Sequence, residues 1–155
     1  MKLLKQTSNQ CLIYSLAMVL NVTVDEIISK LGHDGLLKVW PLSPPECFAG
    51  VNMQEAIDVC DSYGIGLRYI EPMPASGVLG RPELTRNIFT ADRVLSRLEI
   101  YLMNHTALLI GMIQGSFHCV AWDGQLIYDP NGKIYKIEEF SFSEAWILYK
   151  LDYKL

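Results

Sequence analysis

Few side chains in this 155-residue chain could act as a nucleophile, a general base or a soft-metal ligand, since it contains four cysteines and three histidines. No two cysteines form a Cys-x-x-Cys pair, so their spacing does not predict a zinc site. The chain is also too long and too poor in cysteine to resemble a small disulfide-stapled domain. We therefore expect reduced thiols and neither a metal nor an organic cofactor.

Cys11 stands directly before, or at, the first residue of the apolar segment LIYSLAMVL. Apolar residues on all sides of this segment predict a buried helix over residues 11–20. The unpaired N–H groups and the positive dipole end of a helix N-terminus favour an anion, so a cysteine there is stabilised as the thiolate. Because the thiolate is the attacking species in cysteine catalysis, Cys11 is the candidate nucleophile.

The candidate base lies in the segment FHCVAWDGQLIYDP. Its Asp123-Gly124 pair predicts a two-residue hairpin turn, which places His118 directly opposite Asp129 on one face of the two strands. A carboxylate at that distance can accept the imidazole N–H, fix the tautomer and stabilise the protonated ring. We expect His118 and Asp129 to form such a pair, although the sequence alone does not bring Cys11 to them.

Helices in the first half must position Cys11. Thr23 and Glu26 form a capping-box pattern for a second helix that we expect to end at Leu31, before Gly32. A third helix is predicted from near Asn52 to before Gly64, and its inner face carries Met53, Ala56, Ile57 and Cys60. Cys60 is therefore predicted to be a packing residue.

Strands in the second half must position His118 and Asp129. We expect a strand over residues 65–71, a helix over 91–103, and short β runs over 106–114, 117–122, 125–129 and 133–138. For the final segment, 140–153, we expect a short helix capped by Ser141 and Glu144 and then a strand. Helices followed by an antiparallel meander predict an α+β fold, in one domain spanning residues 1–155.

The charge pattern excludes some classes of partner. Thirteen basic and seventeen acidic residues give a net charge of −4, and no Lys/Arg stretch marks a nucleic-acid surface. The first twenty residues loosely resemble a signal peptide, but the polar QTSNQ interrupts them and no small-x-small cleavage site follows. No apolar run approaches the ~18 residues that a membrane helix needs. We expect a cytoplasmic protein with no nucleic-acid or membrane partner.

Several motifs together resemble the papain-like cysteine peptidases. They are QTSNQCLIYSLAMVLNVTVDEII with the following LGHDG, then VNMQEAIDV, and later FHCVAWDGQLIYDPNG. They are most similar to the bacteriocin-leader-peptidase-like branch, in its small stand-alone phage and bacterial members. The resemblance implies a papain-like fold, with N-terminal helices packed on a C-terminal antiparallel sheet. It also implies a catalytic triad of Cys11, His118 and Asp129.

The resemblance further implies a glutamine, upstream of the nucleophile, that donates to the oxyanion. Gln6 could curl its amide over the helix start, whereas the side chain of the adjacent Gln10 should point away, so Gln6 is favoured and Gln10 is the alternative. The sequence departs from the branch at Leu12, where its members usually carry glycine after the catalytic cysteine.

These observations favour a cysteine hydrolase that cleaves a peptide or other amide bond in a peptide or protein substrate. His33, in the GHDG segment, and Trp40 are candidate substrate-cleft residues. Two alternatives stay open. One is a non-catalytic papain-like module that binds a peptide or partner, and the other is a deamidase or transferase using the same thiol chemistry.

Overall fold

The structure, a computed structural model, describes residues 1–36, 50–70 and 97–152. These ranges contain four helices and six strands: α1 (Cys11–Leu20), α2 (Val24–Leu31), α3 (Met53–Ser62), β1 (Ile65–Ile70), α4 (Arg97–Asn104), β2 (Ala107–Ile113), β3 (Ser116–Trp122), β4 (Ile127–Asp129), β5 (Lys133–Tyr135) and β6 (Phe142–Lys150). The strands form one antiparallel sheet in the order β1-β6-β2-β3-β4-β5. The α+β class is thereby confirmed.

Local capping chemistry sets the ends of α2 and α3, as the sequence predicts. The Thr23 hydroxyl and the Asn52 side chain each accept a hydrogen bond from the backbone N–H of the glutamate three residues later. The carboxylate of each glutamate in turn accepts the backbone N–H of the capping residue. Gly32 ends α2 with a φ of 79°, a conformation that favours glycine. These caps satisfy backbone N–H groups that would otherwise be unpaired, so short polar motifs suffice to define both helices.

Helices cover both faces of the sheet. Alternate residues of a strand point to opposite faces, and in β2 Leu108 and Ile110 pack with α1, α2 and α3. On the other face, Ala107 and Leu109 pack with α4. The first three helices thus pack on the sheet as expected, whereas α4 lies on the opposite face. The described part of the helix predicted over 91–103 begins at Arg97, and residues 91–96 lie outside the described ranges.

The predicted short helix after Ser141 is wrong, because the chain is already in β6 from Phe142. This strand is central, with β1 on one side and β2 on the other, so its backbone groups are paired along both edges. That non-local pairing outweighs a local capping signal. Helical structure occurs earlier instead, as a single 3-10 turn over Ile137–Glu139, and the strand predicted over 133–138 ends at Tyr135.

The predicted two-residue turn between β3 and β4 is also wrong. The carboxylate of Asp123 accepts the backbone N–H groups of Gln125 and Leu126, which closes a four-residue loop over positions 123–126. Trp122 consequently pairs with Ile127, and the register is displaced by two residues from the predicted one. Because side chains alternate with a period of two, this displacement leaves every residue on its predicted face.

No single helix in the described ranges is long and apolar enough to cross a membrane. The pair α1 and α2 passes the same test of length and composition together, with a bend of 114° between them.

Candidate active site

Cys11 is the first residue of α1, and its half-buried side chain faces β3. The helix is held there by Ile13, Leu16 and Ala17, which are all at most 1% exposed and pack against the sheet. No side chain caps this helix N-terminus, so its positive end is open to an anion. The thiol therefore lies where the backbone itself favours a negative charge.

His118 and Asp129 form a buried pair, with 2.8 Å between His118 Nε2 and Asp129 Oδ1. They are 7% and 3% exposed. Continuing the β3–β4 register places Asp129 opposite Val120, so the pair is diagonal rather than directly opposed. Diagonal neighbours share a face and are within reach of long side chains, which is why the contact persists despite the displaced register.

The thiol of Cys11 meets this pair. The His118 ring lies beside the Cys11 thiol and interacts with it electrostatically, and the backbone N–H of Cys119 donates to Cys11 Sγ at 3.4 Å. Since Nε2 of His118 is bonded to Asp129, Nδ1 is the ring nitrogen left for the thiol. The side chains of Cys11, His118 and Asp129 therefore form one continuous line of contacts. The fold brings distant parts of the chain together here, since Cys11 and Cys119 are 108 residues apart in the sequence.

The pKa values of Cys11 and His118 move toward each other. Burial raises the pKa of the Cys11 thiol, but the hydrogen bonds from His118 and from the Cys119 N–H, with the charge of His118, lower it below its ordinary value of 9.0. Burial likewise lowers the pKa of His118, but hydrogen bonds to Asp129 and Cys11 and their charges raise it to about 9. The usual gap between the pKa of a thiol and that of an imidazole is thereby reduced, which favours a thiolate–imidazolium pair.

Asp129 is held as a carboxylate by three donors. Burial raises its pKa, but His118, the Asn131 backbone N–H and the Tyr135 hydroxyl together lower it below the ordinary value. The Asn131 N–H lies 2.7 Å from Oδ1, and the Tyr135 hydroxyl lies 2.7 Å from Oδ2. No sequence pattern singled out Tyr135 or Asn131. The available signal was the Asp-Pro-Asn-Gly turn, which folds β5 back beside Asp129.

Cys11 and His118 open into a cavity of about 350 Å³. Its described walls are residues 9–13, 34–35, 50–51 and 53, with Ile110, Phe117, His118, Cys119 and Glu144 from the sheet. A Cβ atom on Gly35 would lie 3.2 Å from the Val51 side chain, so glycine allows these two wall segments to approach closely. The nucleophile candidate is thus accessible from a concave surface.

The two candidate oxyanion glutamines have different surroundings. Gln6 accepts the Gln10 backbone N–H on Oε1 and donates from Nε2 to Asn131 Oδ1 at 2.9 Å, and it does not line the cavity. Gln10 is buried and lines the cavity, but its Nε2 donates to the Asp34 carbonyl at 2.7 Å. Neither amide contacts Cys11 in the described hydrogen bonds. Each amide nitrogen still has a second N–H available.

Of the two candidate cleft residues, the structure describes only His33, and His33 does not line the cavity. His33 lies next to the wall residue Asp34, but its ring accepts the Gly35 N–H on Nδ1 and meets Glu55 through Nε2 at 2.8 Å. These contacts connect the segment after α2 to the first turn of α3. Trp40 lies outside the described residues.

In the other two described cysteines, Cys60 and Cys119, the thiol pKa is raised rather than lowered. Cys60 is 0% exposed, and burial raises its pKa to about 12, as suits the predicted packing residue. Burial also raises the pKa of Cys119 well above its ordinary value. Among the three cysteines that the structure describes, only Cys11 is both accessible and stabilised as a thiolate. Within the described ranges, no cluster of three His, Cys, Asp or Glu side chains is arranged to hold a metal ion.

Comparison of the sequence with models of known protein families and with curated proteins finds no match.

Proposed function

We propose that the protein is a cysteine hydrolase that cleaves a peptide or other amide bond. The continuous contact from Cys11 through His118 to Asp129, opening into a cavity at the thiol, is the observation that carries this proposal. A thiol stabilised as an anion, a base beside it and a carboxylate that orients the base are what nucleophilic catalysis requires. A module that only binds a partner has no need of this arrangement.

In the proposed reaction, the Cys11 thiolate attacks the carbonyl carbon of the scissile amide and forms a tetrahedral oxyanion. The C–N bond then breaks as His118 gives its proton to the leaving amine, and an acyl thioester remains on Cys11. Water attacks the thioester while His118 takes one of its protons, and the acid is released with the thiolate restored. Asp129 keeps the His118 ring oriented throughout and remains ionised.

The oxyanion needs donors directed at it. We assign one to the backbone N–H of Cys11, at the uncapped start of α1. We assign the second to the Gln6 amide, because Gln6 is held by the Gln10 N–H and by Asn131 next to the His118–Asp129 pair. Gln10 already connects two cavity walls through Asp34, which favours a structural role for its amide.

We also propose the papain-like fold, of the bacteriocin-leader-peptidase-like branch, for this chain. The supporting features are a cysteine at the start of a buried helix, a histidine on a strand and an acid on the following strand, in that order along the chain. The antiparallel sheet with α1 packed on β3 agrees with this arrangement.

Product analysis by mass spectrometry tests the proposed activity. Wild type, Cys11→Ser, His118→Ala and the control Cys47→Ser, at the cysteine that lies outside the described residues, are each incubated with a complex mixture of peptides. We expect new peptide termini with wild type and Cys47→Ser and none with the other two. Conversion of Asn or Gln to its acid, or an acyl adduct, would identify a deamidase or a transferase instead. Equal products from Cys11→Ser and wild type, or none from any variant, would refute the hydrolase.

A further inference from the structure

The cavity beside Cys11 has apolar lining residues and an acidic side chain contributed by the sheet. The apolar part includes Leu12, Val51, Met53 and Phe117, and Phe117 is 69% exposed at the rim. The acid is Glu144 of β6, which is half-buried. A wall of this kind suits a side chain with an aliphatic stem and a cationic end.

The sheet register places Glu144 two strands away from Cys119, the residue whose N–H contacts the thiol. Glu144 is directly opposite Ile110 of β2, and Ile110 is directly opposite Cys119 of β3, so the three residues form one row on one face. Adjacent strands are about 4.8 Å apart, which puts Glu144 about 10 Å from Cys119. The Cys119 N–H contacts Cys11 Sγ. A side chain one or two residues from the scissile bond can span that distance.

Glu144 has a fixed orientation and no cationic partner in the described ranges. Its Oε2 accepts the indole N–H of Trp146 at 2.9 Å, which holds the carboxylate in place. No described Lys or Arg lies within 4.0 Å of it. The described cavity wall contains a second acid, Asp34, and no Lys or Arg. A negative wall without a counter-charge attracts a cation from solution.

We propose that Glu144 selects substrates carrying a lysine or arginine side chain within about two residues of the scissile bond. The limit of two residues follows because an extended substrate chain advances about 3.3 Å per residue. This inference rests on the proposed hydrolase for its reaction, but the charge selectivity of the cavity is a property of Glu144 and can be measured without turnover.

Charge selectivity is measured with two thiol reagents of similar shape and opposite charge, cationic aminoethyl methanethiosulfonate and anionic sulfonatoethyl methanethiosulfonate. Rates at Cys11 are read by peptide mapping at low salt in wild type, Glu144→Gln and the control Glu138→Gln, whose exposed acid lies outside the cavity. One charge about 10 Å away changes each rate severalfold, in opposite directions, so Glu144→Gln should lower the cation-to-anion rate ratio about tenfold. Because both reagents react with the same thiolate, any change in the thiolate fraction cancels within each ratio.

A change in Glu144→Gln no larger than that in Glu138→Gln would overturn the inference. The second measurement uses cleavage of matched peptides that differ only in Lys, norleucine or Glu beside the scissile bond. We expect wild type to cut the Lys peptide about tenfold faster than the norleucine peptide, and Glu144→Lys to prefer Glu. Cleavage without this preference would overturn the inference and leave the hydrolase standing. A shifted reagent ratio without any cleavage would overturn the hydrolase and leave the cation-selective cavity standing.

Discussion

Replacing Asp129 by asparagine should remove the charge that holds His118 protonated while leaving the fold intact. The asparagine carbonyl oxygen can still accept from His118 Nε2 and the Asn131 N–H, where the two bonds are 2.8 Å and 2.7 Å in the native protein. Its amide can turn toward the Tyr135 hydroxyl oxygen, which can also accept. The substitution therefore tests charge rather than shape.

The expected size of the effect follows from the pKa of His118. Its rise from 6.5 to about 9 corresponds to about 3 kcal/mol in favour of the imidazolium, against an opposing contribution from burial. Asp129 and Cys11 supply that stabilisation. Loss of the Asp129 charge, with burial unchanged, should bring the pKa of His118 back toward its ordinary value of 6.5. His118 would then be only partly protonated at neutral pH.

The assay is a pH titration of the histidine rings by NMR in protein labelled at histidine, with the three histidines assigned by substitution. Because Cys11 and His118 titrate as a coupled pair, each variant is also measured with Cys11→Ser. Glu55→Gln is the matched control, since it neutralises a carboxylate 2.8 Å from His33 outside the site. A His118 pKa that stays near 9 in Asp129→Asn, or that falls as much in Glu55→Gln, would refute the role given to Asp129.

Three further outcomes are expected. Tyr135→Phe removes a hydrogen bond to a buried carboxylate and should cost about 1–3 kcal/mol in urea unfolding, whereas Tyr128→Phe, whose hydroxyl interacts with the more exposed Asp123, should cost less. Gln6→Ala should lower kcat about 100-fold while Gln10→Ala should not, and the reverse result would give the oxyanion role to Gln10. The pKa of Asp129 is lower when folded, so the stability it contributes is present above about pH 4 and is lost as the pH falls through its folded pKa. Acid unfolding of Asp129→Asn should accordingly be less steep than that of wild type.

Local signals in the sequence were sufficient for the helices around the candidate nucleophile. The caps at Thr23 and Asn52 depend on residues three positions apart, and the start of α1 at Cys11 depends on one apolar run. The same kind of signal failed at Ser141, because β6 is fixed by strands on both sides that no local pattern reveals. Local patterns therefore predict elements well where neighbours in sequence supply the hydrogen bonds.

The candidate site was predictable in part for a geometric reason. The Asp123 loop is two residues longer than expected, yet His118 and Asp129 still meet because the strand period is two. The approach of Cys11 to His118 depends on how α1 packs on β3, which is a contact between distant parts of the chain. Only the family resemblance predicted it. Tyr135 was missed because its contact with Asp129 depends on the tight turn before β5.

The most direct test of the account is the pH dependence of Cys11 alkylation by iodoacetamide, read for each cysteine by peptide mapping. Wild type is compared with His118→Ala and with His105→Ala, whose ring bonds the Tyr101 carbonyl outside the site. The thiolate–imidazolium pair predicts fast labelling of Cys11 well below the ordinary thiol pKa of 9.0, slowed about tenfold or more by His118→Ala and unchanged by His105→Ala. Labelling of Cys11 no faster than that of Cys47, or unaffected by His118→Ala, would contradict it.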